Sequence, residues 1–157
     1  MIPDEFDDLP RVGILWKLPL EFNCAEYLGL GPHENYRDRN AAAVVGCYTT
    51  LFKDLPGDYM MPQSSGNRTG VQELILHGTV KPWKIESAKA SFEFSVLPFS
   101  DNELWAARHW HDLKEQRCWY CYLDAAQRGV GSRSCGPALQ KRYRVQPGEY
   151  NLNLTVF

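Results

Sequence analysis

His109 and His111 flank a tryptophan in "RHWHDL". On an extended or turned segment two residues that far apart share a face. Two imidazoles placed so can ligate a metal, and His109 alone can act as an acid or base, because imidazole titrates near neutrality. A metal site needs further ligands. No third ligand stands out, so a structural role is favoured and no metal or other cofactor is expected. Cys118 and Cys121 form a CxxC without a second pair, and in a strand they point to opposite faces. Core packing is the expected role. Glycoside hydrolysis needs two carboxyls facing each other across a bond. Glu34, Asp38, Asp112 and Asp124 are the pieces on offer, and nothing in their spacing makes two converge. The glycine-rich "GVGSRSCGP" lacks the GK[ST] ending of a phosphate loop. Cys135 within it is a nucleophile only with a depressed pKa, for which Arg133 is the nearby cation.

A second concentration of polar side chains follows an apolar run in "YLGLGPHENYRDR", where Glu34 to Arg39 stand without a spacer. The elements positioning these groups read as strands. "RVGILWKLPL", "AEYLGLGP", "VQELILHGTV", "ASFEFSVLPF", "RCWYCYLDAA" and "EYNLNLTVF" are apolar or alternating runs, separated by Gly, Pro, Asn and Ser clusters. Phe92, Phe94 and Val96 recur at period two, and Val71, Glu73 and Ile75 alternate with Gln72, Leu74 and Leu76. Two short stretches read as helical. "DRNAAAVVGCY" can start a turn at Asp38 or Asn40, and "SDNELWAARHW" has a capping-box pair in Ser100 and Glu103. The fold class is mainly β, an antiparallel β-sandwich with few short helices.

The chain has 157 residues, 44% hydrophobic and 13% aromatic, which suits one domain with a real core. Residues 1–8 read as an acidic lead-in and 9–157 as the domain. Net charge is −2 with no Lys/Arg run, so no nucleic acid and no anionic membrane is expected as partner. The start lacks an apolar signal-peptide region, and no apolar stretch approaches a bilayer's thickness. A cytoplasmic location follows, with the five cysteines reduced. Of the five tryptophans, Trp16, Trp83, Trp105, Trp110 and Trp119, most belong to the core, since large aromatics dominate small β cores.

Several segments, taken in order, resemble one known family. "LPRVG" and "GLGPHENYRDR" are similar to the L-P-R-[IV]-G and G-L-G-P-x-E-N-Y-P-D-R patterns in the last, small-chain domain of glycoside hydrolase family 2 β-galactosidases. "YMMPQSSGNRTGVQ" resembles that domain's Y-x-x-P-Q-E-x-G-N-R segment, and "FEFSVLPFSDNELWAARHWHDL" its F-x-F-S and H-x-H-x-L segments. "YLDAAQRGVGSRSCGP" and "YRVQPGEYNLNLTV" continue in register. The resemblance implies a supersandwich of the galactose-mutarotase-like type. It implies that the catalytic glutamates lie in a TIM barrel this chain does not contain, so no residue here inherits their role. It also implies that the loop "GVGSRSCGP" is the one lent to a galactoside site, with Cys135 standing where some members carry Trp. Arg37 replaces the family's Pro, and Ser64 stands where the pattern has Glu. The family's domain is longer than this chain, which resembles its second half, so an exposed sheet face or edge, and completion by homodimerisation, are expected.

The leading reading is a stand-alone small-chain-like domain, not hydrolytic alone, that binds a carbohydrate-like or other small molecule or completes a separate catalytic chain. The expected site is the face with His109, His111 and Asp124 as candidate catalytic groups and Arg133, Ser134 and Cys135 as ligand contacts, with Tyr36 and Arg39 nearby. The alternative is a small enzyme, an isomerase or cyclase, using an aromatic pocket in the sandwich.

Overall fold

The computed structural model describes residues 8–114, 117–131 and 136–157. The described residues form two antiparallel sheets. Strands are β1 (Arg11–Pro19), β2 (Phe22–Gly31), β3 (Val44–Leu51), β4 (Arg68–Val71), β5 (Glu73–Gly78), β6 (Trp83–Ser87), β7 (Phe92–Leu97), β8 (Cys118–Gln127) and β9 (Leu154–Val156), with one helix, α1 (Asp101–Ala106), before β8. One sheet runs β1-β8-β7-β4 and the other β3-β2-β5-β6-β9. This is the expected sandwich.

The alternating residues meet between the sheets. Phe92, Phe94 and Val96 of β7 and Cys121 and Leu123 of β8 pack on Phe22, Ala25, Tyr27, Leu74, Leu76 and Ile85 from the second sheet. Each such large apolar side chain contributes about 2 kcal/mol by leaving water. The CxxC divides as its spacing predicts. Cys121 enters this core, and Cys118 packs with Tyr120, Tyr122, Leu97 and Leu104 on the outer face, under α1. The helix starts as its capping box predicts, with Ser100 Oγ accepting from Glu103 N at 3.3 Å and Ser100 N donating to Glu103 Oε2 at 2.9 Å.

Two local readings are corrected. Asn40 closes a single turn, with Ala43 N donating to Asn40 O, and the chain then becomes β3 rather than a helix. The reason is the β-branched run Val44, Val45, Thr49 and Thr50, which suits a pleated edge. "VQELILHG" is not one strand. Val71 ends β4 in the first sheet and Glu73 begins β5 in the second. The switch at Gln72 turns both Val71 and Leu74 into the same core, which a single strand cannot do for residues i and i+3.

The outer face of the first sheet carries a polar row. Gly13 of β1, Asp124 of β8 and Glu93 of β7 lie side by side in register, with a bulge at Val12/Gly13. A Cβ on Gly13 would lie 2.2 Å from Asp124 Oδ1 and 2.3 Å from Leu123 O, so only glycine lets β8 and its carboxylate approach this closely. At the free edges Ile14 and Leu15 of β1, Val44 and Val45 of β3, and Val156 are exposed. The sheets close a core between themselves, and apolar side chains remain exposed at these edges and at Met60, Met61, Trp105 and Trp110.

Candidate functional site

The polar cluster after β2 is a structural knot, as each side chain shows. Asn35 is buried; its Nδ2 donates to Leu30 O and His33 O at 2.9 and 3.0 Å, and its Oδ1 accepts from Thr69 N at 3.0 Å and from Thr69 Oγ1. Glu34 accepts from Arg39, from the Tyr59 hydroxyl and from Gly66 N. Arg37, where the family pattern has Pro, reaches β7 and β8, with Nε 3.1 Å from Glu93 Oε1 and Nη2 3.4 Å from Ala125 O. Glu93 is further held by Asn67 Nδ2 at 2.8 Å and by Gln127 N. Tyr36 is buried, and its hydroxyl is pushed well up by burial and by the neighbouring Glu34.

Asp38 ties the polar cluster to a second segment of the chain. Its two carboxylate oxygens accept from Val130 N at 3.1 Å and Gly131 N at 2.8 Å. It thereby clamps the entry to the glycine-rich loop. Gly129 permits the approach, because a Cβ there would meet Asp38 Oδ1 at 2.5 Å. A hollow of about 280 Å³ opens beside this clamp, lined by Asp38, Arg39, Gly131, Leu139 and Tyr143 among others. Asp38→Ala is expected to cost about 2 kcal/mol, since each bond to a charged acceptor contributes about 1.5–3 kcal/mol before exposure is discounted. Amide hydrogen exchange at Val130 and Gly131 should accelerate while the core amides keep their protection; unchanged exchange there refutes the clamp.

A larger cleft, about 650 Å³, lies between the start of β1, residues 61–64, α1 and Gln127. Arg11, Ser64, Asp101 and Gln127 are among its polar lining, and Met61, Pro62, Leu104 and Trp105 form apolar walls. The Arg11 guanidinium sits between two carboxylates, 3.4 Å from Asp101 and 3.5 Å from Asp124, and stacks 4.0 Å over the Tyr122 ring. Its Nη2 donates to Ser64 Oγ at 3.1 Å. Burial pushes the Asp124 carboxyl up to about 7; Arg11 opposes this, while Glu93 and Asp101 add to it.

The expected site residues do not all meet. Asp124 lies buried beneath Arg11, so it offers no open carboxylate to a substrate. His109 and His111 are exposed, with rings stacked at 5.2 Å, on a 3-10 turn at Trp110–Asp112. Asp112 caps that turn, accepting from Arg108 N and His109 N, and these bonds hold its carboxyl below its ordinary value. Trp110 Nε1 donates to Tyr59 O at 2.8 Å, and Tyr59 in turn bonds Glu34 and Arg39, so the turn and the knot are joined. Arg39 lies 5.4 Å from the Tyr36 ring and lines the smaller hollow. Arg133, Ser134 and Cys135 lie outside the described residues. All four candidate carboxylates are engaged locally; Glu34 and Asp38 line one hollow of about 540 Å³, where Glu34 is held by Arg39, Tyr59 and Gly66 N and Asp38 by Val130 N and Gly131 N. The tryptophans also separate. Trp16 and Trp83 meet each other, Trp119 meets Phe52, and Trp105 and Trp110 are exposed.

Sequence reasoning did not place Arg11, Asp101 or Gln127 at a site, and it named Ser64 and Trp105 without joining them to one. A signal existed in the polar residues alternating with core residues in β7 and β8, Glu93, Ser95 and Asp124, which are buried. The partners of Glu93 and Asp124 come from distant segments: Arg37 and Asn67 on Glu93, and Arg11 on Asp124.

The described residues form a two-sheet β-sandwich in which the polar segment after β2 holds the backbone of Val130 and Gly131. The family described as "Beta galactosidase small chain" matches residues 2–156. The chain belongs to that family. It is 33% identical over 150 residues to a β-galactosidase of Actinobacillus pleuropneumoniae, covering 96% of this chain and 14% of the relative. It is 35% identical over 152 residues to one of Arthrobacter sp. strain B7, covering 94% and 15%. With one of Vibrio cholerae it shares 32% over 157 residues, covering 99% and 15%. The chain therefore spans about one seventh of the length of these relatives.

Proposed function

We propose that the chain is the small-chain part of a β-galactosidase-type glycoside hydrolase, non-hydrolytic alone, that completes a catalytic unit carried elsewhere. The observation that carries this is the Asp38 clamp, which orders the entry to a loop at the sandwich surface. Backbone already held at Val130 and Gly131 loses little entropy on meeting a partner. The relatives' names supply the substrate class, a β-galactoside. The exposed Ile14 and Leu15 on the unpaired β1 edge supply a surface for assembly, with a catalytic chain or with a second copy. Cys24, Cys47, Cys118 and Cys121 are all free, which supports residence in a reducing cytoplasm.

The test is the native mass of the tagged protein purified from its host, followed by assay on a chromogenic β-galactoside. A complex with a large chain, active only when both are present, is the expected result. Lysine at both Ile14 and Leu15, which are 41% and 45% exposed, should dissociate that assembly, with circular dichroism checking that the domain stays folded. A monomer that neither hydrolyses the galactoside nor associates with anything defeats the reading.

A further inference from the structure

Among the described residues four strands end the two sheets, β1 and β4 in one, β3 and β9 in the other. An edge strand carries unpaired backbone N–H and C=O groups, and it takes up another strand unless something blunts it. Three of the four are blunted. β1 carries Arg11, Lys17 and Pro19 and a bulge at Val12/Gly13. β4 has four residues, with a break in its register between Arg68 and Val71, and β9 has three residues. β3 has none of these devices. Its eight residues, VVGCYTTL, hold no charge and no proline, and they pair with β2 from Val44 to Leu51 without a register shift. Val44 and Val45, on opposite faces of the strand, are 66% and 65% exposed, and Cys47, Thr49 and Leu51 are exposed as well. Leu30 and Leu28 of β2 stand directly beside Val45 and Cys47, so this corner of the sheet's outer face is apolar.

We propose that β3 pairs antiparallel with β3 of a second copy about a two-fold axis, joining the two five-stranded sheets edge to edge. The strand's own residues select this occupant. Opposed residues of an antiparallel pair share a face, so the axis must pass through a residue, and the middle of the strand offers Cys47 or Tyr48. Centred on Cys47, Val45 meets Thr49 of the copy and Val44 meets Thr50, β-branched against β-branched. No like charges are opposed anywhere along the strand, and Ala41, Ala42 and Ala43 before it add none. A strand chosen from another protein would find no charge on β3 to read. Two-fold pairing uses the same edge on both copies, so it closes at two. Eight residues a side is well below the 20–30 of a standard interface, so the dissociation constant should be weak, on the order of 10–100 µM. β1 lies in the other sheet, so this contact leaves the Ile14–Leu15 edge free, and it stands whether or not the chain joins a catalytic partner.

The test is sedimentation of the whole chain under reducing conditions, from about 5 µM to about 500 µM, a range that brackets the expected constant. A monomer–dimer equilibrium is the expected result. Val45→Lys should raise the dissociation constant about tenfold or more, because it places a lysine of each copy on the pairing edge. Thr49→Lys, at a second exposed position of the same face, should act the same way, and an unchanged thermal midpoint in either variant shows that the fold is intact. A short thiol cross-linker should join two copies through Cys47, which lies at or next to the axis. Cys47→Ser should abolish that cross-link while the dimer persists. A chain that stays monomeric at the highest concentration overturns the proposal. So does a dimer that both lysine variants leave as tight as before, or one dissolved by Ile14→Lys and not by Val45→Lys, which belongs to the β1 edge. Assemblies larger than two that Val45→Lys dissolves overturn it as well, because the two-fold pairing leaves no free β3.

Discussion

Asn35→Ala should remove about 3–5 kcal/mol of folding stability, the largest single loss expected from the polar knot. The side chain bridges three stretches of backbone: Leu30 at the end of β2, His33 in the loop, and Thr69 in β4. Truncation leaves two carbonyls and one N–H in a buried place without partners, and an unpaired buried group costs about 1–3 kcal/mol. Water entry recovers part of this. For a domain of this size the thermal midpoint should fall by about 10 °C or more. Arg39→Ala is the internal comparison. Its guanidinium is half exposed, so a loss of about 1 kcal/mol or less is expected. Equal losses for the two variants would show that Asn35 is not the centre of the knot.

Asp124→Asn should change stability in a pH-dependent way. In the folded chain the carboxyl keeps its proton up to about pH 7, against an ordinary value of 3.8. Between those values the unfolded chain releases the proton and the folded chain does not. The unfolded state then binds fewer protons, so stability falls as pH rises. The favourable contribution is complete below about pH 4 and gone above about pH 7. Three pH units correspond to about 4 kcal/mol at most. Asparagine does not ionise, so the variant should gain on the parent steadily from pH 4 to 7 and no further beyond. Taking the difference in urea midpoints cancels the other titrating groups. A difference that stays flat across the window would mean that Arg11 keeps Asp124 ionised throughout.

The sandwich was legible because its central strands obey simple periodicities. Phe92, Phe94 and Val96 alternate, and the Ser100–Glu103 pair announces α1. The switch at Gln72 was hidden because alternation continues through it unbroken; only pairing partners distinguish two strands from one. The strand at Val44 was hidden by three alanines that suit a helix. In the polar cluster, Asn35, Asp38 and Arg39 tie loops together, which their unbroken run in the sequence does not by itself disclose. The cleft was not legible. Arg11, Ser64, Asp101 and Gln127 are ordinary polar residues far apart in the chain, and their meeting depends on register between β1 and β8 and on how α1 folds back. Asp124 was singled out as a reactive group, and its burial under Arg11 is a tertiary effect that no local pattern carries.

The position of β1 also governs how the chain is made. β1 pairs with β8 and with no other strand of its sheet. During synthesis Ile14, Leu15, Trp16 and Leu18 leave the ribosome long before Cys118–Gln127 exist. At typical elongation rates that interval is roughly 5–20 s. β1 is therefore without its only sheet partner for that interval, and closing so large a loop is slow even afterwards. Yield in the cell should accordingly depend on what shields residues 11–19 in that interval, whether a chaperone or an early partner, more than on the stability of the finished sandwich.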